Sequence, residues 1–405
     1  MRELSRREVV GLGALGLIVS ACGTEPDLKT RTTSSGTREA GTTGTTAKPA
    51  SDGQPDVTVA GPDSVKGALF SDDVLVYGQD TLDKDTVAAI RKLKGVDGVE
   101  VMSMGQFYVD EQEVTYAAVD PATFWRYTQP GTAQTMEVWK RVAAGEIAVE
   151  PVIGRKLQRK GGYMRLGNEK VASTIHIGAY AQLLNPSVAR RIDAIVNYKW
   201  ADELGMRTDN AVLIAMGAAS PQSIRKQLQK LAGTKASVQI LGPDLDIKAT
   251  QTAFLTGGSV ARAVGSFSYT ANGDGTVNPD PSWVAANIRT EQMPIIGKVT
   301  GHRVMLPQLR EALNEVVTRG LSSKIHTYDG CYVPRFIART PSRGLSFHTY
   351  GTAIDLNAST NYRGIAGDMD RTVVSIFKKW GFAWGGDWNY TDPMHFELAS
   401  LVKSR

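Results

Sequence analysis

Cysteine is almost missing from this chain: among 405 residues only Cys22 and Cys331 carry a thiol. Cys22 closes an apolar leader, so Cys331 is left without a partner and a disulfide framework is excluded. Charge of one sign is also lacking, because a formal net charge of +5 is small for this length. That removes the electrostatic reason to expect nucleic acid as a partner. Long apolar runs are absent too. The longest near the N-terminus, residues 11–19, falls short of the ~20 residues a membrane-spanning helix needs. Ordinary apolar cores must therefore hold the fold. A hydrophobic content of 42% and a charged content of 21% suit that, and the length suffices for two cores.

The N-terminus reads as an export signal. Arg2, Arg6 and Arg7 precede the short apolar run, and residues 5–10 resemble a twin-arginine signal. Val19-Ser-Ala-Cys22 resembles the lipobox of bacterial lipoproteins, which makes Cys22 the expected lipidation site and residues 1–21 the removed signal peptide. Residues 22–64 are rich in Thr, Ser, Gly, Ala and Pro with few large apolar side chains. Such a segment buries too little surface to offset its ordering entropy, and a tether with a reach of about 35 Å is expected. The expected location is extracytoplasmic, anchored to the bacterial membrane through Cys22 and facing the wall.

Residues 65–245 alternate strand-like and helix-like runs. Residues 74–77, 99–109 and 113–119 predict strands, and 85–93 predict a helix. Residues 221–231 predict another helix, with Ser220 as cap, Pro221 in its first turn and Gly233 past its end. This segment is expected to be a separate α+β domain with no catalytic constellation, and a possible surface for a protein partner. His176, set in an apolar alternation, is read there as structural. Residues 246–405 predict a strand near 266–270, a turn at 272–275, an amphipathic helix over 306–317 and another capped by Asp370. Trp380 is read as core, with Trp384 or Trp388 beside a cleft. The fold class is α+β, with a small antiparallel sheet and helices in the C-terminal domain.

Chemistry concentrates in two segments. Ser346-Phe-His348-Thr-Tyr-Gly351-Thr-Ala353-Ile-Asp355 is followed by Asp392-Pro-Met-His395-Phe-Glu397. Strand alternation puts Asp355 on one face and Ile354 and Leu356 on the other; His395 and Glu397 likewise share a face. Two neighbouring strands would bring His348, Asp355 and His395 together, a ligand set that zinc accepts with one position left open. Asp392, three residues before the last histidine, is placed to serve a water there. His302 and His326 lie outside this pattern and are read as packing or surface residues. Ser346 is read as support for the turn. Glu397 is either a partner of a ligand or a surface ion pair.

These motifs, with Trp384-Gly-Gly-Asp-Trp388 between them, resemble the zinc D-alanyl-D-alanine carboxypeptidase and L-alanyl-D-glutamate endopeptidase family of wall peptidases over about residues 265–405. The resemblance implies zinc held by His348, Asp355 and His395, Asp392 as general base, and Arg335 polarising the scissile carbonyl, with Arg339 and Arg343 as the alternatives. It implies peptidoglycan stem peptides as substrate and hydrolysis by metal-activated water. A serine mechanism is not supported: Ser375-Ile-Phe-Lys378 has the spacing but lies in an amphipathic pattern, and no Lys-Thr-Gly follows. A cysteine mechanism at Gly330-Cys331 lacks the histidine just before it. The rival is a non-catalytic, lipid-anchored wall- or partner-binding protein with structural zinc. Asp392 argues against it, since loss of the base would mark that fate.

Overall fold

The computed structural model describes residues 55–402, save 111, 168–171, 185–191 and 242–248. The signal peptide, Cys22 and most of the expected tether lie outside the described residues. Residues from Pro55 onward form one compact unit. The tether was expected to run to residue 64, yet its last residues are already docked. Val57 is buried, its carbonyl accepts from Asn197 Nδ2 at 2.8 Å, and Val59 N donates to Ala143 O at 2.9 Å. Val57 and Val59 alternate with exposed neighbours, but two valines are too short a pattern to signal such docking.

Nine strands build the first sheet: β1 (Val74–Gly78), β2 (Gly98–Val109), β3 (Gln112–Val119), β4 (Ile147–Val149), β5 (Tyr163–Arg165), β6 (Thr174–Tyr180), β7 (Ala194–Asn197), β8 (Ala211–Ala215) and β9 (Ala236–Ile240). Their order is β5-β6-β4-β7-β3-β2-β8-β1-β9. Most pairs are antiparallel, with β3–β7 and β4–β6 parallel. The inner strands are buried along their whole length, as Val74–Gly78 and Ala211–Ala215 show, which explains their unbroken apolar runs. Helix Lys84–Arg91 starts where Asp83 caps it through Thr86 N. Helix Arg225–Ala232 starts later than the sequence suggests: residues 221–224 form a tighter 3-10 turn, and Ser220 supplies no side-chain cap. Pro221 fixes the backbone there but donates no hydrogen bond, so the first turn lacks a full α-helical ladder. His176 on β6 pairs its Nδ1 with Glu146 Oε1 at 2.7 Å.

The second half begins with a three-stranded sheet, β10 (Gln251–Phe254), β11 (Ser266–Ala271) and β12 (Val277–Pro279), and a hairpin, β13 (Ile288–Met293) with β14 (Gly297–His302). Four antiparallel strands follow in the order β15-β16-β18-β17: β15 (Tyr328–Gly330), β16 (Ala353–Leu356), β17 (Phe382–Trp384) and β18 (His395–Leu398). Helix Met305–Thr318 buries Leu309, Leu313 and Val316. Helix Arg371–Lys379 is capped by Asp370 and buries Val373 and Phe377. The inward residues of β16 and β18, Ile354, Leu356, Phe396 and Leu398, join the same core. So the α+β class holds throughout. Tyr108 of β2 enters this C-terminal core, with its ring 4.9 Å from Phe347 and 6.3 Å from Tyr350.

Candidate metal centre

One turn of helix, Phe347–Tyr350, presents the first histidine. Ser346 caps it by accepting from His348 N, and Gly351 ends it in the left-handed conformation at φ 66°. A short turn bounded by a serine cap and a glycine stop holds His348 more narrowly than a loop would. The next segment enters β16, where Asp355 registers opposite His395 of β18. Strand pairing thus does what sequence spacing alone left open, setting the carboxylate and the second imidazole face to face.

The atoms converge in a buried pocket. His395 Nδ1 lies 3.0 Å from Asp355 Oδ1, and His348 Nε2 lies 3.2 Å from Asp355 Oδ2. The three side chains offer ligand atoms all within 4.8 Å of one another. Each ring is oriented from behind. His348 Nδ1 is 2.8 Å from the Cys331 carbonyl, which can only accept, so Nδ1 carries the proton and Nε2 is left with a lone pair. Glu397 Oε2 lies 3.3 Å from His395 Nε2 and accepts its proton, leaving Nδ1 directed at the pocket. Glu397 is buried, so it is a partner of the histidine and not a surface ion pair.

Whether these donors suit a cation follows from the strays. His348 Nε2 is buried and makes no hydrogen bond with any described group. A buried lone pair pointed at a carboxylate is unfavourable unless a positive centre stands between them. Two imidazoles and a carboxylate fit zinc in type and number. The electrostatics agree. Burial alone would raise the Asp355 pKa, but His348 and His395, when protonated, outweigh it and hold the carboxyl well below its usual range. Burial would lower that of His395, yet hydrogen bonds to Asp355 and Glu397 raise it to about 10.

Asp392 stands beside this group. It is 4% exposed, its Oδ1 has no hydrogen-bond partner among the described residues, and burial raises its pKa. Its backbone N donates to Gly385 O at 2.9 Å, and its own carbonyl accepts from His395 N at 3.0 Å. Of the three arginines expected to serve the site, half-buried Arg335 donates Nη1 to Phe336 O at 3.5 Å. Burial lowers its pKa, and the opposing influences include Asp355 and Asp392. Arg339 turns instead to Asp274 at 4.0 Å, and Arg343 is exposed. The Trp388 ring packs 5.2 Å from that of His395 and lines the site. Trp384 is core, donating Nε1 to Pro393 O at 2.7 Å. Half-buried Trp380 packs against the core and donates to Glu315.

Residues 339–398 match the family model of D-alanyl-D-alanine carboxypeptidase. The match contains His348, Asp355, Asp392 and His395, and it begins after Arg335. Over these residues the chain is similar to that family, in agreement with the resemblance drawn from the two motifs. Two further residues of the site had no sequence signal. Cys331 contributes only a carbonyl, which any residue would supply. Arg363 lies in a loop without a motif, and its Nη1 comes to 3.7 Å from Asp392 Oδ2. His302 is buried against Trp283, away from the ligands, as expected of a packing residue.

Proposed function

We propose that the chain is a zinc-dependent peptidoglycan peptidase that hydrolyses an amide bond of the stem peptide. The bond is of the D-alanyl-D-alanine carboxypeptidase or the L-alanyl-D-glutamate endopeptidase type. The observation that carries this reading is the placement of Asp392, with an unpartnered buried carboxylate oxygen, beside His348, Asp355 and His395. Nε2 of His348, a carboxylate oxygen of Asp355 and Nδ1 of His395 would hold the ion. Bound zinc supplies Lewis acidity and lowers the pKa of a coordinated water from 15.7 toward about 7.

The protein's own groups do the rest. Asp392 takes the proton of the attacking water at Oδ1 and returns it to the departing amine. Burial raises the pKa of that carboxyl, which brings it closer to one able to hold the proton between the two transfers. Arg335 places positive charge toward the carbonyl oxygen as it becomes negative. Glu397 keeps the His395 ring in one tautomer, and Trp388 keeps bulk water off it.

In this reading lipidated Cys22 anchors the protein outside the cell membrane, and the tether lets it reach the wall. Residues 65–245 would position it on the wall or on a protein partner. Among the described residues no helix is long and apolar enough to cross a membrane.

The test is incubation of the zinc-loaded protein with muropeptides, read by mass spectrometry, which also reports the bond cut. Asp392→Ala is expected to keep its zinc and lose about 10²–10⁴-fold in rate. Full activity in that variant removes Asp392 from the mechanism, and absence of cleavage at every zinc loading ends the peptidase reading.

A further inference from the structure

Arg363 is held beside the proposed base by a stiff loop. Asn361 is fully buried. Its Nδ2 donates to Asp368 Oδ1 at 2.7 Å, and its Oδ1 accepts from Asp368 N at 3.0 Å and Met369 N at 2.8 Å. The same loop is fastened to the segment carrying Asp392. Gly364 N donates to Thr391 O at 2.7 Å, Thr391 Oγ1 donates to Ile365 O at 2.6 Å, and Met394 N donates to Asn361 O at 2.9 Å. These bonds leave Arg363 at the rim. Its side chain is 30% exposed, its guanidinium carbon is 5.3 Å from the exposed Tyr390 ring, and its Nη1 is 3.7 Å from Asp392 Oδ2. That last distance is beyond hydrogen-bond range. Asp392 thus presents one oxygen, Oδ1, with no hydrogen-bond partner among the described residues, and turns the other toward Arg363.

Resting on the peptidase reading above, we propose that Arg363 binds the free α-carboxylate of the residue that supplies the leaving amine. The geometry follows from covalent structure. In an amino acid the amine and the α-carboxylate are joined through one carbon, with bonds of about 1.5 Å each, so they lie about 3 Å apart. Asp392 must come within hydrogen-bond reach of that amine to return its proton. A carboxylate on the same residue then falls within a few Å of Asp392, and Arg363 is a cation 3.7 Å from Asp392 Oδ2. A guanidinium suits a planar carboxylate because two of its N–H groups can point at both oxygens. An ordinary peptide bond offers a neutral amide at this place, and Arg363 would gain little from it. Two substrates carry the required charge. One is a C-terminal D-alanine; the other is a glutamate linked onward through its side chain, whose α-carboxylate stays free.

The experiment uses two matched pairs of peptides with the full-length, zinc-loaded protein. One pair is an N-acylated peptide ending in D-alanyl-D-alanine as the free acid and as the carboxamide. The other is an L-alanyl-γ-D-glutamyl peptide with its α-carboxylate free and as the carboxamide. Binding is read by calorimetry and hydrolysis by mass spectrometry. The acid is expected to be preferred over its amide by about 10- to 100-fold in one pair, the range for a hydrogen bond to a charged group. The pair that shows it identifies the residue. In Arg363→Ala that preference should fall to near unity with zinc content unchanged, and Arg363→Lys should restore part of it. A preference that survives Arg363→Ala, an equal loss on acid and amide, or no preference in either pair would overturn the proposal. Preferential binding of the acid without any hydrolysis would keep it while refuting the peptidase reading.

Discussion

Removing the charge behind His395 should weaken the metal centre by a calculable amount. The perturbation is Glu397→Gln, which keeps a carbonyl oxygen able to accept from His395 Nε2 but carries no charge. His395 is 1% exposed and Glu397 6%, so the pair is shielded from solvent. A hydrogen bond to a charged group contributes about 1.5–3 kcal/mol. At 3.3 Å this one is longer than the about 2.7–2.9 Å of a good charge-assisted bond, which selects the lower half of that range. The glutamine keeps a neutral hydrogen bond about half as strong, so the loss is about 1 kcal/mol. That is a rise of about five-fold in the zinc dissociation constant, smaller than the change found when the partners of metal-bound histidines are removed outright. Competition against a chromophoric chelator at neutral pH measures it. Thermal unfolding of the metal-free protein, wild type and variant, separates ligand orientation from folding. A zinc affinity unchanged within threefold would refute the reasoning, and more directly so if the metal-free variant were destabilised. Glu397 would then be a buried carboxylate that supports the strand and has no influence on the ion.

Two other outcomes follow from the structure. Burial raises the Glu100 pKa from 4.5 to about 7, opposed by the Thr123 hydroxyl at 2.8 Å. A raised folded pKa means that wild-type stability is full below pH 4.5 and is lost as pH rises through 7. Glu100→Gln should therefore match wild type near pH 4 and exceed it by about 2–3 kcal/mol at pH 8.5 in denaturant unfolding; a gap that does not depend on pH would contradict this. At Gly351, a Cβ would meet His302 N at 2.8 Å and Ile288 Cδ1 at 3.0 Å, at φ 66°. Gly351→Ala should cost at least about 1–2 kcal/mol from the left-handed conformation alone, and more from the backbone clash. Stability within 0.5 kcal/mol of wild type would show that this turn is not under the constraint described.

Where residues speak through local chemistry, the sequence was readable. Asp370 and Asp83 cap helices through their own side chains, Leu309 and Leu313 mark a buried stripe, and alternation over residues 353–356 and 395–398 put the ligands on one face of each strand. The opposition of Asp355 and His395 was not readable from spacing, because register between strands 40 residues apart depends on the whole sheet. Hairpin β13–β14 went unseen although Pro294 and Gly297 bound its turn, because its centre is two isoleucines and Ile295 takes φ 65°, a conformation that β-branched residues rarely adopt. Arg363 was invisible for another reason. Its position is set by Asn361, a buried amide whose five hydrogen bonds within the loop leave no trace in composition or periodicity.

Tyr108 belongs to a strand of the large sheet, yet its ring is walled in by Phe347 and Tyr350, the two aromatics that flank His348 in its single turn of helix. Each buried aromatic withdraws about 150–250 Å² from water. A peptidase fragment begun at residue 246 would lay that face of the helix open and release the histidine's turn from its outer support. The two halves of the chain therefore cannot be exchanged or trimmed like beads on a string. The large sheet serves as the back wall of the candidate metal site, and evolution or engineering that alters β2 also alters how firmly His348 is held.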